Sequence, residues 1–97
     1  MSNNIFRKER YVKVNDNWHP NWPGNRVKLT LCLFSFRDYC YVKLMAWGMD
    51  DLGYEICKDH LTFMEALQIY NELKPLYESV PDNINKEWFI SHGFERF

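Results

Sequence analysis

Residues 27–36 and 39–48 alternate between two kinds of side chain, with strand-forming residues throughout and only Arg37 and Asp38 between the runs. The pattern reads as a β-hairpin. With an even loop, Phe36 faces Tyr39 and Ser35 faces Cys40. One face then carries Val27, Leu29, Leu31, Leu33, Cys40, Val42, Leu44 and Ala46. The other carries Lys28, Thr30, Cys32, Phe34, Phe36, Tyr39, Tyr41, Lys43, Met45 and Trp47. An odd loop would shift the register by one residue and mix the two sets, so the clean sorting favours two or four residues. Arg37 followed by Asp38 is not a favoured pair for a primed two-residue turn, which tips the expectation to four. The first face is aliphatic and calls for a helix above it. The second is aromatic, with two lysines.

The downstream half of the chain supplies that helix. Residues 49–53 read as a turn in which Gly53 takes the left-handed position of a bulge, and residues 54–59 as a third meander strand. With a bulged three-residue loop, Ile56 joins the aliphatic face above Ala46 and Gly48. Thr62 followed by Glu65 is a capping box. Phe63, Ala66, Leu67, Ile69, Tyr70, Leu73, Leu76, Tyr77 and Val80 then recur at helical spacing, a stripe wide enough to cover the aliphatic sheet face. The apolar period runs through Pro75, which predicts one kinked helix rather than two. Pro81 breaks it. Asn85 caps a second, short helix over residues 86–92, with Ile84 and Phe89 at the staple positions, Gly93 at its end and Phe94 folded back on Phe89. Trp88 is expected to pack on the core.

Upstream, residues 5–14 read as a strand, strongest at 11–14. The run of charge from Arg7 to Arg10 reads as a solvated edge. Residues 15–25 form a loop rich in Asn, Pro and Gly that holds Trp18, His19 and Trp22. The two tryptophans either cap the open end of the core or form a partner-binding loop. The fold expected is α+β: an antiparallel three- to four-stranded β-meander with one long amphipathic helix on one face and a short C-terminal helix. It is expected as a single domain over 1–97, with the N-terminal strand and aromatic loop at 1–25, the meander and helix core at 26–80, and the C-terminal helix and tail at 81–97.

Composition narrows function by exclusion. A chain of 97 residues suffices for one core. A net charge of −1 with interspersed signs disfavours a strongly basic nucleic-acid binder and an acidic nucleic-acid mimic alike. Three cysteines without paired spacing argue against a disulfide framework, and no apolar run approaches membrane-spanning length, so a cytoplasmic setting is expected. No catalytic, cofactor or metal site is expected. Cys57 and His60 have the spacing of half a zinc site, but the other half is missing. The histidines stand far apart with no nucleophile beside them.

Three short strands followed by the helix that starts at Thr62 and runs through Phe63, Glu65 and Tyr70 resemble the core of the ethylene-response-factor and integrase-type DNA-binding domains. That resemblance covers about half the chain. It implies DNA contacts through Arg and Lys on the sheet face away from the helix, where this chain instead places rings together with Lys28 and Lys43.

Four Trp, six Tyr and seven Phe are more rings than one small core readily hides. The expected function is therefore that of a small non-enzymatic interaction protein, an inhibitor or adaptor of the phage or mobile-element accessory kind. It would bind a protein partner or self-associate as a homodimer through Trp18, His19, Trp22, Phe34, Phe36, Tyr39, Tyr41, Lys43 and Trp47. The alternative is a binder of single-stranded nucleic acid or a nucleotide by aromatic stacking. No membrane partner is expected.

Overall fold

The computed structural model describes residues 2–14, 26–47 and 53–96, with side chains from Asn4 onward. Along the chain run β1 (Ser2–Lys13), β2 (Arg26–Phe36), β3 (Tyr39–Trp47), β4 (Gly53–Leu61), α1 (Phe63–Ser79), α2 (Lys86–Ser91) and β5 (Glu95–Arg96). The strands form one antiparallel sheet in the order β1-β2-β3-β4-β5. The fold is the expected α+β arrangement, with five strands in place of three or four. The extra strand, β5, pairs only Glu95 and Arg96 with Glu55 and Tyr54. Two charged residues carry no period that a sequence reading could detect.

β2 and β3 pair in the even register that the alternation demanded, Phe36 with Tyr39 and Ser35 with Cys40. The loop, however, is the two-residue Arg37–Asp38 turn and not a four-residue one. Arg37 adopts φ 58°, the left-handed conformation that glycine usually fills at the first position of such a turn. In the next ladder Ile56 lies on the aliphatic face as expected, but opposite Leu44; Tyr54 takes the place above Ala46. The connection 48–52, with its expected bulge and the Asp50–Asp51 pair, lies outside the described residues. β4 runs on to Leu61 through an irregularity between the Val42↔Lys58 and Cys40↔Leu61 pairs, where His60 sits at φ 57°.

The aliphatic face is the floor of the core. Val27, Leu29, Leu31, Leu33, Val42, Leu44 and Ala46 are fully buried there, and Ala66, Tyr70 and Tyr77 of α1 close over them. Thr62 Oγ1 accepts from the Glu65 N–H at 3.2 Å while Glu65 Oε1 accepts from the Thr62 N–H at 2.9 Å, so the capping box is complete. α1 is a single helix with Pro75 inside it. Phe63, assigned to the core stripe by its spacing, is instead 44% exposed, as the first residue of α1 where the chain has just left β4.

α2 fills the remainder of the same face. Asn85 caps it through the Trp88 N–H, and Phe94 N–H donates to Phe89 O at 3.0 Å while Gly93 N–H donates to Ile90 O at 3.3 Å. Both bonds of a Schellman motif are thus present around Gly93 at φ 87°. The Phe89 ring meets Phe94 at 5.1 Å and lies parallel to Tyr54 at 6.0 Å, and Trp88 packs half-buried beside them.

β1 belongs to the body of the sheet, pairing along β2 from Ser2 to Lys13, with Val12 and Val14 fully buried. The segment after α1 returns to β1. Lys13 N–H donates to Asp82 Oδ1, Asn83 N–H donates to Lys13 O, and Val14 forms a parallel bridge with Ile84. No helix of the described residues is long and apolar enough to cross a membrane.

Candidate functional site

Residues directly paired across antiparallel strands share a face, so the ladders sort the second side of the sheet into rows. Asn4, Phe34 and Tyr41 form one row. Arg7, Cys32, Lys43 and Cys57 form the next, followed by Glu9, Thr30, Met45, Glu55 and Glu95. Tyr11, Lys28, Trp47 and Gly53 form the last full row, with Lys13 and Arg26 beyond it. The buried residues outside the strands, namely Val14, Ala66, Tyr70, Tyr77, Val80, Ile84, Phe89 and Phe94, all belong to the aliphatic core. Among the described residues, neither helix packs on this second side, although Thr30 and Cys32 in its middle rows are only 1% and 2% exposed.

Of the residues singled out from sequence, Phe34, Phe36, Tyr39, Tyr41, Lys43 and Trp47 stand on this open face, all half-buried. Trp18, His19 and Trp22 lie outside the described residues. The rings on the face fall into two groups. At the hairpin end Phe34 and Tyr41 stack at 5.0 Å, Phe36 and Tyr39 meet edge to face at 5.7 Å, and Tyr39 stacks on His60 at 4.6 Å. Trp47 stands apart. Six residues separate it from Tyr41 along one strand, about 20 Å at the usual rise. Its indole N–H donates to Thr30 Oγ1 at 3.4 Å.

Cations sit over these rings. Lys43 lies over Tyr41 at 5.5 Å, Lys28 over Trp47 at 5.5 Å and Arg37 over Phe36 at 5.3 Å. Glu9 Oε2 bridges Arg7 and Lys28, and this pairing holds the Glu9 carboxyl below the usual carboxylate range. Between the two ring groups, Cys32 is only 2% exposed; its thiol leans on Lys43 O at 3.8 Å, and burial pushes it up to about 11. Burial raises the Tyr41 hydroxyl as well.

His60, Lys28 and Arg7 belong to this surface and were not singled out from sequence. Alternation already put Lys28 on the aromatic face. Arg7 could be placed only once the β1 register was known. His60 reaches Tyr39 because the irregularity in β4 swings it there, and no residue pattern announces a histidine in the left-handed conformation. Cys57 and His60 stand near one another on exposed β4, but no group of three or more His, Cys, Asp or Glu assembles among the described residues. Cys32 and Cys40 face opposite sides of the sheet, and all three thiols are unpaired.

The chain matches no family model, no curated protein and no solved structure with which it was compared.

Proposed function

We propose that this is a small non-enzymatic interaction protein of inhibitor or adaptor type, working by stoichiometric burial of its open sheet face against another protein surface. One observation carries the reading. Both helices and the whole aliphatic core lie on one side of the sheet, while the other presents stacked rings rimmed by cations. Aromatic rings are what interface centres are enriched in. Trp18, His19 and Trp22 would add to the contact from the loop that joins β1 to β2. Three unpaired thiols suit a reducing, cytoplasmic setting, and the motif-poor, Asn-rich chain suits a phage or mobile-element accessory protein.

The test is recovery of bound protein from host cells with the wild-type chain and with Tyr41→Asp. Tyr41 stands half-buried on the sheet surface, so the variant should keep the wild-type circular dichroism spectrum and melting behaviour while losing the recovered partner. A Tyr41→Asp protein that is folded and retains every partner would remove the face from the reading.

A second reading, stacking of single-stranded nucleic acid or a nucleotide, draws on Lys28, Lys43 and Arg37 beside the rings. Base–ring stacking contributes about 1–3 kcal/mol per base where a ring face is free. Here Phe34 and Tyr41 already stack on each other, Tyr39 stacks on His60, and the cations cover Tyr41, Trp47 and Phe36. That favours a protein surface, which uses ring edges, over an intercalating base. Salt-sensitive retention of a single-stranded oligonucleotide, lost in Tyr39→Ala combined with Lys43→Ala, would reverse the preference.

A further inference from the structure

We infer that the surface covering the open face is a second copy of this chain, packed sheet to sheet about a two-fold axis that runs along the strands between β2 and β3. The inference rests on the proposed interaction role of that face and names its partner. Charge is laid out unevenly across the sheet. On the β1–β2 half, Arg7, Lys13, Arg26 and Lys28 outnumber Glu9. On the β3–β4 half and its adjoining β5, Glu55 and Glu95 outnumber Lys43. One side is basic and the other acidic. A partner that fits must carry the reverse layout.

Rotation about an axis along the strands gives this chain that reversed layout. It places β1 of one copy over β4 of the other, and β2 over β3. Arg7 stands one row from Glu55, so in the partner copy it comes beside that acid. Phe34 comes over the second copy's Tyr41, and Lys28 over its Trp47, repeating between copies the pairings that each copy makes within itself. An axis across the strands would instead lay the basic half on the basic half. Sheets packed face to face keep their strands within about 30° of one another, which leaves these neighbours within side-chain reach.

The area is adequate. Four strands about 4.8 Å apart and nine residues long present roughly 600 Å² per copy, or about 1,200 Å² buried in all, at the lower bound of specific interfaces. A dimer of this size is expected to be reversible.

The experiment is sedimentation equilibrium of the full chain over a range of concentrations, with two charge reversals. The wild-type protein should self-associate to a dimer. Arg7→Glu alone and Glu55→Lys alone should each weaken association about tenfold or more, since each brings like charges together twice across the two-fold. An equimolar mixture of the two variants should recover a heterodimer about as tight as wild type, because both contacts are then between opposite charges. Recovery in the mixture also shows that neither variant failed by misfolding.

A wild-type chain that stays monomeric overturns the inference, as does a mixture no tighter than its components. So does a single variant that dimerises like wild type. Those results leave the wider reading of the face standing if a heterologous protein is still recovered and lost with Tyr41→Asp. If the monomer instead retains single-stranded oligonucleotide in a salt-sensitive way, both the dimer and the protein-partner reading fall.

Discussion

Arg10 leaves the edge strand β1 on the helix side and ends where α1 ends, its guanidinium donating to Tyr77 O at 2.8 Å and Val80 O at 2.9 Å. The last turn of α1 holds no basic residue of its own. Its orphan carbonyls therefore take their donor and their favourable charge from a strand some seventy positions earlier. The guanidinium also lies over the Tyr77 ring at 5.4 Å. Arg10→Ala leaves partly buried carbonyls without a donor, at an expected cost of about 2 kcal/mol, readable as a fall in the urea midpoint. Arg10→Lys should recover only part of it, because the flat guanidinium that lies over the Tyr77 ring is lost even where an ammonium can still donate to both carbonyls.

Cys32 gives the residue scale its pH dependence. Its thiol is held neutral in the fold up to about 11, whereas the ordinary value is 9.0. The unfolded chain therefore releases this proton first. The contribution is complete below pH 9.0 and is lost as pH climbs towards about 11. Tyr41, Tyr70 and Tyr77 are shifted in the same direction by burial. The melting temperature should decline through that window, and the decline should be shallower in Cys32→Ala.

At the scale of elements, what could be read from the chain was what is encoded locally. The capping box at Thr62 and the Asn85 cap each need only a few adjacent residues, and both stand as read. The Schellman end of α2 is equally local. Gly93 sits at φ 87° with open space where a Cβ would go, so Gly93→Ala meets strain and no clash. The expected cost is about 1 kcal/mol, checked by thermal melting. The two faces of the hairpin were legible for a related reason, since alternation and register are the same information written twice.

Other features depend on partners distant in sequence. The tight turn at Arg37 and the left-handed His60 are conformations that their residue types do not favour. They are held by the strands on either side. The two-residue β5 exists because α2 delivers it to the free edge of β4. The candidate site followed the same division: alternation placed Phe34, Tyr41, Lys43 and Trp47 on one face with Thr30, Cys32 and Met45 among them, but not the residues of the neighbouring strands that complete the rows between Trp47 and the other rings. Those rows come from β1 and β4 as much as from the hairpin.

At the scale of the whole molecule, the open face competes with another way for two copies to meet, edge to edge through β1. That strand is long, and among the described residues its outer edge is paired only near Lys13 and Val14, where Asp82 to Ile84 returns to it. A bare edge of this length usually invites a second strand. Three features oppose that here. The register shift between Asn4 and Phe6 breaks the ladder near one end. Arg7, Lys8, Glu9 and Arg10 fill the middle, so a symmetric partner strand centred there sets Arg7 against Arg10 on both sides of the two-fold. Arg10 is already committed to α1. Face packing needs none of these to change. Native-state hydrogen exchange at low and high protein concentration separates the two modes. The amides of β2 and β3 should be slowest at every concentration, being central and buried on the helix side. The outward-facing amides of residues 6–11 should exchange quickly and at the same rate throughout. If association ran through the edge, those amides would slow as the dimer formed. Their indifference to concentration, measured while Tyr41→Asp abolishes dimerisation, is the outcome that face-to-face packing requires.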